Sequence, residues 1–265
     1  MALRRRFEEM SSVELAALAP DITAAVAVLP IAAIEQHGPH LPLGTDAYLA
    51  DAMVESVIAK LPDAVAATFL PTFRIGQSSE HTAFPGTLSL DTQTLAAALI
   101  AIGEGLADAG FRRLVIVNSH GGNTPAMDTV ALELRRRRGL LVGICSWLRF
   151  GYPEGVLPQQ EIDHGIHGGA VETALMLHFY PRLVRTERIA RFETLQARLE
   201  DKHTHLRAHG RLGFGWMAND LNPQGVVGDA TLATPAIGAA IAAHQADAFL
   251  SFLEDVLAFD LGSLA

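Results

Sequence analysis

Cysteine is almost absent from this 265-residue chain: the one thiol, Cys145, ends the apolar run Leu140-Leu141-Val142-Gly143-Ile144-Cys145. No intrachain disulfide can form, and the expected role of that residue is a small buried hydrophobe in a cytoplasmic protein. Positive charge is scarce, with Lys+Arg 20 against Asp+Glu 29 for a net charge of -9. That balance argues against a nucleic-acid partner, since binding a phosphate backbone draws on clustered cations. The exception, Arg135 to Arg138, follows Leu132-Glu133-Leu134 and reads as the solvated end of a helix, its cations near the negative end of the dipole. Arg4, Arg5 and Arg6 run straight into acidic Glu8 and Glu9, so no apolar leader segment follows them, and a mature, soluble N-terminus is expected. Hydrophobic stretches are expected to be too short, or too interrupted by charge, to span a bilayer. No P-loop, GxSxG or CxxC is present to carry phosphate, serine or dithiol chemistry.

What the chain does have is apolar mass. Residues of hydrophobic type make up 49%, enough to bury a sizeable core, and no Pro/Ser/Gly-rich linker or abrupt change of charge divides it. One domain over residues 1–265 is expected. The run from Ala24 to Ile34, rich in β-branched residues, predicts a strand buried on both faces. Asp46 to Leu61 then carries apolar residues at helical spacing (Leu49, Met53, Val57, Leu61). The unit repeats: strand Val65 to Leu70, helix Thr92 to Ala109, strand Leu114 to Asn118, helix Met127 to Arg137, strand Leu140 to Trp147, helix Gly169 to Phe179. A last helix runs from Pro235 to about Phe259, with the alanine-rich Ala239 to Ala248 as ordinary amphipathic helix. This alternation predicts an α/β fold, a mainly parallel sheet with helices on both faces, and ligand binding beyond the carboxyl ends of the strands.

Three polar clusters lie at such strand ends or helix starts. Glu35-Gln36-His37-Gly38-Pro39-His40-Leu41-Pro42-Leu43-Gly44-Thr45-Asp46 supplies imidazole and carboxylate, the donors that Zn²⁺, Mn²⁺ and Fe²⁺ accept. In an extended segment Glu35 and His37 project to one side, and the Gly- and Pro-rich loop can return Asp46 to the same place, where a carboxylate could bridge two metals. Asn118-Ser119-His120-Gly121-Gly122-Asn123 places one histidine at a strand terminus, and its glycines either turn the chain or let backbone approach a ligand, with Gly121 a substrate-binding candidate. Asp163-His164-Gly165-Ile166-His167-Gly168-Gly169-Ala170-Val171-Glu172 adds another acid and histidine set, from which His167 and Glu172 can reach a shared cavity. Trp147, Phe150, Tyr152, Phe214 and Trp216 are left open between core packing and a pocket or subunit contact.

These motifs, with the GxSxEHxxFPGT-like stretch from Gly76 to Thr87 and in this order, resemble the creatininase family of creatinine amidohydrolases. Gly228-Asp229-Ala230 is similar to a further family loop. The resemblance implies an α/β fold, hydrolysis of C–N bonds in cyclic or linear amides, and two divalent metal ions per subunit, Zn²⁺ and/or Mn²⁺ with Fe²⁺ a third option. It also implies a homo-oligomer, commonly a hexamer. Carried over, Glu35 and His120 ligate one metal, His37 the other, and Asp46 bridges; Ser78 contacts substrate, and His167 binds substrate or transfers a proton. Two positions depart from creatininase proper. Its glutamate ligand two residues after the motif histidine is replaced by Gly122, and an acid before the third-motif histidine is replaced by Ile166. The NSHGGN form is closer to family relatives acting as a deformylase or a peptidase. Glu172, at a helix start beside His167, is the candidate to supply the missing carboxylate to the second metal and to share in catalysis. Gly122 keeps a competing class open, a metal- or ligand-binding protein without catalysis, and an isomerase or lyase use of the same site is the third alternative.

Overall fold

The structure, a computed structural model, describes residues 3–19, 21–210 and 212–264. Its centre is a four-stranded sheet in the order β2-β1-β3-β4, made of β1 (Val26–Ile31), β2 (Ala67–Phe69), β3 (Arg113–Asn118) and β4 (Leu141–Ser146). Every pairing is parallel, with Val28 opposite Phe69 and Val115, and Val115 opposite Gly143. Side chains alternate across a strand, and the two faces bury different sets. Val26, Val28, Val115 and Val117 join one core with Met53, Val57, Ile241 and Phe249, whereas Ala27, Leu29, Leu114 and Ile116 join another with Leu95, Leu99, Met127 and Val130.

The helices follow from that division. In chain order they are α1 (Ser12–Ala17), α2 (Thr45–Lys60), α3 (Thr92–Asp108), α4 (Thr124–Arg138), α5 (Gln159–His164), α6 (Ala170–Phe179), α7 (Leu195–Lys202), α8 (Ala218–Leu221) and α9 (Pro235–Ala258). Helices α2, α6 and α9 cover the first face, α3 and α4 the second. Local chemistry sets several ends. Asp91 caps α3 by accepting from Thr94 N (2.9 Å), Thr234 caps α9 with Pro235 behind it, and Gly139 in the left-handed region closes α4. The arginines at that end are tied locally, Arg136 and Arg137 to Glu133 and Arg138 to Asp108, as a solvated helix end requires. Cys145 is partly buried against the first core, and burial pushes its thiol pKa up.

Two expectations need correction. Helix α9, 24 residues long, is apolar and long enough by composition to cross a bilayer, contrary to the reading that no stretch is. Its apolarity is spent on the protein core, where Ile241, Ala242, Ala246, Phe249, Leu253 and Val256 are buried. The Asp163-His164 pair ends helix α5, which periodicity did not reveal, rather than opening α6. Of the aromatics left open, Trp147 is buried against Phe249 and Trp216 packs on Leu221 with its indole N–H donated to Ala208 O (2.6 Å).

Going from β1 to β2 the chain moves to one side, and on reaching β3 it has crossed to the other side of β1. The carboxyl ends of β1 and β3 therefore flank the switch point of the sheet, where a crevice opens in such folds. Helix α6 is held over this point by α9, whose Gly238 sits so close that an added Cβ would lie 2.0 Å from Ala174 O. Gly238→Ala should therefore lower stability by about 1–3 kcal/mol, the usual cost of overpacking. Urea denaturation checks this, and an unshifted midpoint would contradict the close crossing.

Candidate metal centre

Strand β1 delivers Glu35 and the loop behind it closes at once. Glu35 N–H donates to Leu43 O (2.9 Å), and Thr45 Oγ1 donates to Pro42 O (2.7 Å), so the chain from residue 36 to 44 doubles back and starts α2 with Asp46 in its first turn. Gly38 makes the turn at φ +69, and a Cβ there would also strike Val226. Strand β3 delivers His120 between two asparagines that act as brackets. Asn118 Oδ1 accepts from His120 N and from Asn123 Nδ2 (3.0 Å each), and Asn123 reaches Ala32 O (3.1 Å) and Gln77 N (2.9 Å). The third segment is held from behind: His167 pairs with Val227 through its backbone, and Glu161 accepts from Ala170 N and Asp229 N (2.8 Å each) at the start of α6. Gly228 and Asp229 form β6, paired antiparallel with β5 (Arg191–Phe192), so the Gly228-Asp229-Ala230 loop backs the site.

Six of the expected residues meet. Glu35 with Asp46 and His120, His37 with Asp46 and Glu172, and Glu35 with His37 and His167 each offer ligand atoms within 4.8 Å of one another, all buried. His120 Nδ1 lies 3.1 Å from Glu35 Oε2 and 3.7 Å from Asp46 Oδ2, while His37 Nε2 lies 3.5 Å from Asp46 Oδ1 and 3.9 Å from Glu172 Oε1. His167 Nδ1 is 3.4 Å from Glu35 Oε1. Asp46 is common to two of the groups. Ser78 and Gly121 stand apart. Ser78 is fully buried, its hydroxyl without a partner among the described residues and its carbonyl accepting from His81 N (3.2 Å), and Gly121 is exposed with open space where a side chain would be. His164 pairs instead with Glu200 (2.5 Å), and half-buried Ile166 packs on an apolar cluster with Leu221 and Val227.

Hydrogen bonds set the histidine tautomers. His37 Nδ1 faces the Glu35 carbonyl (3.2 Å) and His167 Nε2 the Gln36 carbonyl (2.7 Å). A carbonyl only accepts, so these nitrogens carry the protons, and in the neutral rings His37 Nε2 and His167 Nδ1 are the lone pairs turned inward. Gln36 fixes a further ring: its oxygen accepts from Gly38 N (2.9 Å), so its NH₂ must donate to Gly225 O (2.9 Å) and His81 Nδ1 (2.7 Å), leaving the His81 Nε2 proton directed at Glu35 Oε1, 3.4 Å away. Sequence reasoning gave His81, Gln36 and Glu80 no role. The Glu80-His81 doublet, an acid beside a histidine ahead of a Phe-Pro-Gly turn, was the available signal.

Charges at this density leave their mark. Burial pushes Glu35 up, but His120, His81 and His167 outweigh it and hold the carboxyl well below the usual range. Burial likewise depresses His37, yet Asp46, Glu172 and Glu35 raise it to about 9; Glu172, driven by burial and by Asp46 and Glu35, rises to about 7 against the pull of His37. Burial and the neighbouring His37 and His81 keep His167 well below an ordinary imidazole. Both Glu35 oxygens, His37 Nε2 and Asp46 Oδ2 nonetheless lack a hydrogen-bond partner among the described residues. Buried carboxylates without donors are costly unless paired or coordinating a cation, and a donor set of carboxylates and imidazole lone pairs is what a divalent transition metal takes. The residues fit a metal centre, of the class that activates water in hydrolases.

Comparison with known proteins narrows that class. The creatininase (creatinine amidohydrolase) family matches residues 8–253. The mycofactocin precursor peptide peptidase of Mycobacterium tuberculosis is 36% identical over 226 residues, 83% of this chain and 81% of that protein. The creatinine amidohydrolase of Pseudomonas putida is 34% identical over 184 residues, 62% of this chain and 68% of that one. A solved creatininase with manganese superposes with a TM-score of 0.74 at 25% identity, covering 96% of this chain and 99% of the other. The chain belongs to the creatininase family and is an amidohydrolase.

Without a cation, the raised groups make a pH signature. His37, at about 9 against the usual 6.5, contributes stability that is present below 6.5 and lost as pH rises through 9; Glu172, at about 7 against 4.5, loses its contribution as pH rises through 7. Metal-free protein should therefore melt at a lower temperature at pH 9 than at pH 6.5. Because a ligand imidazole must shed its proton, Mn²⁺ should bind more tightly at the higher pH. Melting curves and Mn²⁺ titrations at both pH values check the pair; metal-free protein that is more stable at pH 9 would refute it.

Proposed function

We propose that this protein hydrolyses an amide C–N bond with two divalent cations, one on Glu35, Asp46 and His120 and one on His37, Asp46 and Glu172. The observation that carries this reading is Asp46, whose two oxygens face the two histidines 3.5 and 3.7 Å away and so belong to both ligand groups. Bound cations of this kind lower the pKa of water from roughly 16 to about 7 and polarise an amide carbonyl. The chain does the rest. His167, with Nε2–H anchored on the Gln36 carbonyl, presents Nδ1 as a base; it takes the proton of the attacking water and returns it to the leaving nitrogen as the C–N bond breaks. Access is from the side of exposed Gly121 and half-buried Gly122 and Glu80.

Glu172 stands in for the carboxylate that Gly122 lacks toward the second cation. Its Oε2 is held by Gly168 N (2.5 Å), which turns Oε1 toward His37. Departure from creatininase at Gly122 and Ile166 favours an amide other than creatinine. A peptide bond is the second reading, supported by the 36% identity to a peptide peptidase over most of the chain.

The test is metal-reconstituted protein offered a panel of lactams, formamides and short peptides, with amine, formate and ammonia release measured before and after chelation. Turnover of none of them, with both cations bound, would favour a binding protein. In His167→Ala, kcat should fall by about 10²–10⁴-fold with metal content unchanged; unchanged turnover at saturating substrate would remove the proton-transfer role. Glu172→Gln should lower bound metal from two equivalents to one, and full occupancy of both would remove Glu172 as a ligand.

A further inference from the structure

His37 and His167 each have a carbonyl holding the outward nitrogen, but among the described residues His120 has none. Its outward nitrogen, Nε2, lies instead 3.2 Å from Glu80 Oε1. The side chain of Glu80 reaches this point through space that only a glycine at position 122 leaves free: a Cβ on Gly122 would lie 2.4 Å from Glu80 Oε1, 2.4 Å from His120 Nε2 and 2.8 Å from Gln77 O. The last of these is backbone, so it cannot swing aside. Gly122 is thus not merely a lost carboxylate. It is the opening through which a carboxylate from another segment arrives on the opposite side of the same imidazole.

We propose that Glu80 is the positioning residue of the metal centre: its carboxylate, seated in the room that Gly122 leaves, takes the Nε2 proton of His120 as a partner and so holds Nδ1 as a lone pair facing Glu35 and Asp46. This rests on the two-cation reading above. Glu80 belongs to none of the three ligand groups, and it lies on the far side of the ring from Glu35, so it acts through His120 rather than on a cation. The contact is a charge pair whose N–H is not yet aligned as a hydrogen bond, and ligation at Nδ1 would strengthen it by leaving Nε2–H as the ring's one donor. Glu80 is itself held in place by the 3₁₀ turn Ser79–His81, whose next residue His81 is pinned by Gln36.

The experiment is titration of metal-free full-length protein with ZnCl₂ against a chelator, for wild type, Glu80→Ala, Glu80→Gln, Gly122→Ala and the double variant Glu80→Ala with Gly122→Ala, with ¹⁵N histidine shifts of the zinc-loaded forms. Glu80→Ala should weaken the weaker-held of the two equivalents or the tighter, whichever His120 serves, by about 10–100-fold, and leave the other unchanged. Glu80→Gln, whose amide oxygen still accepts from Nε2–H, should recover most of that loss. Gly122→Ala should weaken the same equivalent, and by less when Glu80 is already alanine, because the two side chains contend for one space. The wild-type shifts should show His120 ligated through Nδ1 and protonated at Nε2, a signature that a merely structural Glu80 would not move. Wild type that binds zinc while Glu80→Ala keeps both its affinity and its shifts overturns the proposal alone. Wild type that binds no zinc overturns the metal reading and this with it.

Discussion

A carboxylate buried with no hydrogen-bond donor is the constraint around which this protein is organised. Glu35 is fully buried at the exit of β1, and neither of its oxygens has a hydrogen-bond partner among the described residues. Such a group is tolerable only where charge or a bound cation offsets its burial, and three histidines from three different segments line it: His81, His120 and His167 all lie within 3.4 Å of it. Each segment is in turn fastened to the β1 exit, through Gln36, through Asn123 to Ala32, and through the Gln36 carbonyl. The site and the loops that build it are one hydrogen-bonded unit.

The same few residues just beyond β1 do two jobs. The side chains of Glu35 and His37 point inward as donors, while the carbonyls of Glu35 and Gln36 fix which nitrogens of His37 and His167 carry protons. A metal-binding imidazole needs its outer nitrogen protonated and held, so a backbone carbonyl two residues away from a ligand is an economical way to set it. Among the described residues no carbonyl holds the outer nitrogen of His120. The Glu80 carboxylate lies 3.2 Å from it instead.

Much of the fold was legible. The apolar runs around Val28 and Val115 are continuous because both faces of a parallel sheet are covered, and the helices at Asp46, Thr92 and Pro235 keep the apolar spacing that marked them, the last two with side-chain caps at Asp91 and Thr234. The short helix at Gln159 and the two-residue strands at Arg191 and Gly228 left no trace in periodicity. Elements of that length are held by tertiary contacts such as Glu161 with Ala170 and Asp229 rather than by any pattern of their own. Of the site, Glu35, His37, Asp46, His120, His167 and Glu172 could be picked out because metal-ligand residue types cluster at strand ends and helix starts. Glu80, His81 and Gln36 were given no role, since beyond the Glu80-His81 doublet nothing in composition encodes contacts to residues far away in the chain or the orientation of a side-chain amide.

By itself the sequence determined the α/β layering, the family, and which side chains have the chemistry to hold a cation. Local spacing is enough for that, because periodicity and donor type are properties of short segments. Only the tertiary structure decided that β1 and β3 meet at the switch point of the sheet, that Asp46 faces two histidines at once, and that the gap at Gly122 is filled by Glu80. Apart from Asp46 and His37, those are distances between residues 42 to 87 positions apart along the chain, and only packing brings such atoms together.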